Sequence, residues 1–188
     1  FEAGNKIVAC FPWRVHNNET ALGIKMRISH RIVLALVLLV PAVSNAQSKC
    51  PWINEATAHG ILAGTVSMNA NVSDQGFGVC TFLRHQGSAV EELRIKVALL
   101  TDVARQFPTY LEQCPAKSLS LRAIGNEAVM CSVQAKDNQY EEIVVGRVRN
   151  QAFVVTVSSS VQADPVMTQE MRSAKAKLLA EHVAGMLY

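Results

Sequence analysis

The run from Met26 to Ala46, MRISHRIVLALVLLVPAVSNA, decides how much of this chain is left to fold. Arg27, His30 and Arg31 make a basic start, and Ile32 to Val40 is an unbroken apolar stretch. Pro41 stops any helix, and Ser44-Asn45-Ala46 puts small residues where a signal peptidase reads. A helix over that stretch rises only about 14 Å, against a hydrocarbon core of about 30 Å. The run therefore predicts a cleaved secretory signal, and a mature chain that begins near Gln47 and has no membrane span. Residues 1–25 precede the signal without an initial Met and are expected to be non-native upstream translation, the native start being Met26. The expected division is 1–25 upstream, 26–46 signal peptide, and 47–188 a single secreted or periplasmic domain.

Charge narrows the function classes. Five of the 18 Lys and Arg and two of the 15 Asp and Glu lie before Gln47, leaving 13 of each in the mature domain. The excess of +3 thus belongs to the leader. A neutral domain has no basic field for phosphate backbones, so no nucleic-acid partner is expected.

The mature chain keeps four cysteines, Cys50, Cys80, Cys114 and Cys131, separated by 30, 34 and 17 residues. No C-x-x-C pair exists for zinc or thioredoxin-like chemistry, and an even number in an oxidising compartment predicts two disulfides. Of the three connectivities, Cys50 with Cys80 and Cys114 with Cys131 is expected. Each pair would tie a helix end to a strand nearby in sequence.

Along the mature chain, Asn54 caps a short helix from Glu55 to Ala63 that ends on Gly64. Alternation from Thr65 to Val72 and from Val79 to Leu83 predicts a hairpin, followed by a turn at His85-Gln86-Gly87-Ser88. Leu93, Ile95, Val97 and Leu99 alternate with Arg94, Lys96 and Ala98 in a half-buried third strand. Thr101 or Asp102 caps a second helix, which Pro108 should kink or split before Cys114-Pro115. Leu119 to Ile124 reads as extended or coil, and Ala128 to Val133 as a fourth strand. Glu142 to Val148 and Gln151 to Ser158 pair through a turn at Arg149-Asn150. Asp164-Pro165 opens a final helix running from Pro165 to Leu187, with Met167, Met171, Ala174, Leu178, Val183 and Met186 as its apolar stripe. The expected fold is α+β, a largely antiparallel sheet covered by helices in the order α-βββ-α-βββ-α. The αβββ unit would occur twice, the pattern of a weak internal duplication.

Cys50, the helix ending in Leu62-Ala63-Gly64, Cys80, the run Ile124-Gly125-Asn126-Glu127-Ala128, the hairpin Gly146-Arg147-Val148-Arg149 and the closing amphipathic helix form a pattern. It resembles secreted bacterial proteins and lipoproteins of unknown function, among them actinobacterial exported families with a PsbP-like α/β sandwich. The resemblance spans most of residues 50–187. The chain departs from the lipoprotein members because Gln47-Ser48-Lys49, not a lipobox, precedes Cys50. The resemblance implies an exported α/β sandwich and no catalytic residues.

Individual residues point to little chemistry. His59, His85 and His182 have no metal-ligand spacing, and no serine sits in a G-x-S-x-G elbow. Glu91-Glu92 and Glu141-Glu142 read as solvated charges beside turns. Gly60 to Gly64 and Gly76 to Gly78 lack a phosphate-loop context, and Trp52 reads as a core plug. Arg147 and Arg149 alternate on one strand face, with Arg122 and Arg94 nearby, and are candidates to face an anion. No catalytic residue, cofactor or metal is expected. The chain reads as an exported non-catalytic binding or interaction module for a protein or small-molecule partner. The alternative is a hydrolase-like enzyme, in which two or more of His59, His85, His182, Glu127 and Asp137 would converge in a cleft.

Overall fold

Arg149 and Asn150 reverse the chain between two strands whose side chains are apolar on both faces, and the sheet is built outward from that hairpin. The computed structural model describes residues 49–114, 117–134 and 139–188. The upstream segment, the signal peptide, Pro115 and Asp137 lie outside these residues.

A first meander comprises β1 (Ser67–Val72), β2 (Gly78–Gln86) and β3 (Ala89–Leu99). A second comprises β4 (Leu119–Leu121), β5 (Glu127–Gln134), β6 (Tyr140–Val148) and β7 (Gln151–Ser159). Together they form one seven-stranded sheet in the order β1-β2-β3-β7-β6-β5-β4, antiparallel throughout. Helices α1 (Glu55–Leu62) and α3 (Gln169–Met186) cover one face, packing on Cys80, Phe82, Leu93, Ile95, Phe153, Val155 and Val157. Helix α2 (Val103–Leu111) covers part of the other, where Phe107 meets Ile143, Val145, Ala152 and Val154. The fold is α+β, as the alternation implied. β6 and β7 carry near-continuous apolar runs because helices lie above and below them.

Both disulfides form as expected. Cys50 and Cys80 have Cα atoms 5.8 Å apart and join the segment before α1 to β2; Cys114 and Cys131, 5.5 Å apart, join the turn after α2 to β5. Trp52 is buried in the core beside Cys50.

Several expectations are corrected. Leu119 to Leu121 pairs with β5, so the second half holds four strands. The αβββ-like ordering holds, with α1 ahead of the first meander and α2 ahead of the second, on opposite faces of the sheet. α2 runs through Pro108 as one helix, capped by Asp102, whose carboxylate accepts from Arg105 N at 3.1 Å. Pro108 and Ala104 are exposed, so the carbonyl that loses its partner faces water. Ala63, not Gly64, takes the left-handed conformation after α1, at φ 55°. Gly64 is needed for another reason: a Cβ there would stand 2.8 Å from both Cδ and Nε of Arg84. His85 lies in β2 and pairs with Val90, outside the two-residue turn.

The last helix differs most. It begins at Gln169 with Thr168 as its cap, while Asp164 closes a separate turn by accepting from Val166 N at 2.7 Å and Met167 N at 3.0 Å. Its core face is Arg172, Ala176, Leu179, Ala180, Val183 and Ala184. Of the expected stripe, Met167 and Val183 are buried, but Leu178 is 63% exposed and Met171 and Met186 also face solvent. Alanines let the helix lie close on the sheet, whose Phe153, Val155 and Val157 supply the bulk.

Candidate functional site

Strand alternation carries polar side chains onto the covered face at one end of the sheet. Arg84 follows Cys80 and Phe82 on β2, and Glu91 precedes Leu93 and Ile95 on β3. The register sets Arg84 opposite Glu91, Glu91 opposite Ser159, and Ser159 opposite Tyr140. The expectation that Glu91 is a solvated charge is overturned, because β3 is an inner strand and Glu91 has no exposed surface.

This row is closed by residues for which the sequence suggested no such role. Arg84 Nε lies 3.2 Å from Glu91 Oε2, and Arg84 Nη1 donates to the Leu62 carbonyl. Lys175 Nζ donates to the Ile61 carbonyl, so two cations sit on the C-terminal carbonyls of α1, where the helix dipole is negative. Ser159 Oγ donates to Asp164 Oδ2 at 3.3 Å. Burial pushes the Glu91 carboxyl above its ordinary 4.5, and its hydrogen bond to Asp164 adds to the rise against the pull of Arg84. Burial also works against ionising Asp164. The Val166 N–H, the Glu91 hydrogen bond, the Met167 N–H and Ser159 outweigh it and hold that carboxyl below 3.8. Burial thus disfavours the charged form of Glu91, while the turn amides favour that of Asp164. Burial lowers Lys175, with Arg84 adding to the effect and Glu91 opposing it.

Beside this closed cluster is an open one. A polar cleft of 180 Å³ lies between β5, β6 and the first turns of α3, lined by Ser132, Gln134, Tyr140, Glu142, Gln169 and Arg172 among others. Ser132, Gln134, Tyr140 and Glu142 share the parity of Ala128 and Val144 and so point to the α3 side. Glu142 is buried, against the solvated role expected of it. Arg172 is 3% exposed; its Nη1 donates to the Met167 carbonyl at 2.6 Å, and its Nε has no protein partner. Gln169 Nε2 donates to Ser132 Oγ at 3.2 Å at the rim. Glu141 points to the opposite face, where burial raises its carboxyl, Arg94 lowers it and Glu92 raises it again.

The arginine pair is placed differently from expectation. Arg149 lies beyond β6 in the hairpin turn at φ 54°, so strand alternation does not align it with Arg147. Arg147 is engaged internally, donating to Glu127 at 2.8 Å and to the Arg149 carbonyl at 2.8 Å, with its guanidinium over the Phe107 ring. Arg94 pairs with Glu92, and Arg122 is exposed in the loop before β5. The shared strand face on which the anion-facing expectation rested is absent.

The histidines do not come together. His59 is exposed on α1, His85 on β2, and His182 on α3 is 3.1 Å from the Trp52 carbonyl. Among the described residues none hydrogen-bonds to another or to Glu127, and no group of three or more His, Cys, Asp or Glu could hold a metal ion. Among them, too, no helix is long and apolar enough to cross a membrane. No known family, curated protein or solved structure matches this chain.

Proposed function

We propose that the protein is an exported, non-catalytic binding module whose cleft beside the first turns of α3 holds a small polar ligand. One observation carries this role: Arg172 is withdrawn from water at the wall of the cleft with its Nε–H unpartnered. A buried donor without an acceptor costs about 1 to 3 kcal/mol, and more when charged. A ligand in the cleft would meet the part of this guanidinium that lines it. Export is supported by the Met26 to Ala46 signal pattern and by the two disulfides.

Thermal melts with millimolar amino acids, sugars, organic acids and inorganic phosphate test the proposal. A ligand at about 100 times its dissociation constant adds about 2.7 kcal/mol to the folded state. For a domain of this size that raises the midpoint by about 10 °C. A panel in which nothing moves the midpoint removes the basis for the binding role.

A further inference from the structure

Arg172 enters the cleft from α3 and Glu142 enters it from β6. The first is 3% and the second 2% exposed, yet among the described residues no ion pair joins them and Glu142 receives no side-chain hydrogen bond. Opposite charges that line one cleft without pairing to each other leave a place for a third group that bridges them. The bridging group must offer an anion to the guanidinium and a cationic donor to the carboxylate.

Resting on the binding role proposed above, we infer that the cleft takes a small zwitterion of the free α-amino acid type. The ligand carboxylate accepts from the Arg172 guanidinium, and its ammonium donates to Glu142. The same two residues exclude other classes. A simple anion meets the Glu142 charge, a simple cation meets Arg172, and a neutral sugar compensates neither. Size agrees: 180 Å³ is about six water volumes at about 30 Å³ each, and lies below the roughly 300 Å³ at which pockets for drug-sized molecules begin. Ser132, Gln134 and Tyr140 supply neutral donors and acceptors for a short polar side chain.

Calorimetric titration of the full protein with L-serine, lactate and ethanolamine tests the inference, since the last two each keep one charge. L-serine is expected to bind at least about 30-fold more tightly than either, the effect of removing one partner of a buried charge pair. Arg172→Met should abolish binding, and Glu142→Gln should weaken L-serine while narrowing the gap to lactate. Should both variants unfold, the wild-type protein still decides, because the Arg172 Nε–H resonance must shift with L-serine and stay in place with lactate and ethanolamine. Equal affinity for lactate and L-serine overturns the inference. So does a melting midpoint raised by a sugar or phosphate with the Arg172 resonance unmoved by L-serine, although the binding role survives that result. Silence of every compound overturns both.

Discussion

Arg84 and Glu91 stand directly opposite each other in the β2–β3 ladder, with the guanidinium Nε of one 3.2 Å from Oε2 of the other. Neither reaches solvent to any extent. Arg84→Met leaves the Glu91 carboxyl and the Leu62 carbonyl without that donor, and an unsatisfied buried polar group costs about 1 to 3 kcal/mol. The variant is expected to lower unfolding free energy by about 2 kcal/mol. Urea titration measures it, and a loss below about 1 kcal/mol would mean that the pair adds little.

The same cluster sets a pH dependence. Glu91, raised above 4.5, is favoured protonated in the fold, so its stabilisation is complete below 4.5 and lost as pH climbs through the higher folded value. Asp164, held below 3.8, acts in the opposite sense: its contribution is present above 3.8 and lost as pH falls through the folded value. Glu91→Gln mimics the protonated acid and should remove the decline on the alkaline side while leaving the acid side intact. Melting midpoints across the range decide, and an unaltered alkaline limb in the variant refutes a raised Glu91 carboxyl.

On α3, adjacent leucines should behave oppositely. Leu178 is 63% exposed and Leu179 is 1% exposed. Leu178→Asp is expected to change stability by no more than about 0.5 kcal/mol, whereas Leu179→Ala should cost about 2 to 5 kcal/mol. Thermal melts of the two variants check the helix rotation directly; a large effect at Leu178 would mean the helix packs on its other side.

Gly146 and Phe153 are cross-strand partners, and a Cβ on Gly146 would sit 2.3 Å from Phe153 Cζ. The ring lies where a side chain would be. Gly146→Ala should displace it and destabilise by about 1 to 3 kcal/mol. Chemical denaturation gives the size, and restoration by the double variant Gly146→Ala with Phe153→Leu would locate the clash at the ring.

Periodicity made the strands, the Arg149-Asn150 hairpin and both disulfides readable, since each depends on neighbours near in sequence. The α3 face is not legible from a stripe of large side chains, since Leu178, Met171 and Met186 face solvent. The helix instead packs through Ala176, Ala180 and Ala184, which a hydrophobic stripe of large residues overlooks. Glu91 and Arg84 were legible in principle: each continues the parity of an apolar strand face, and only their charge argued for solvent. Nothing local marked Arg172. Its burial depends on where α3 crosses β5 and β6, a relation that no window of sequence contains.

At eight residues α1 is shorter than the roughly 12 to 15 at which isolated helices begin to persist in water. It is held covalently ahead of its first turn by Cys50 and Cys80, and at its last carbonyls by Lys175 and Arg84. Mild reductant severs only the first hold, turning the helix into a flap hinged at its C-terminal end. Its amides should then exchange with deuterated solvent at the rate of a local opening, while those of β3 and β7 still wait for the whole sheet to come apart.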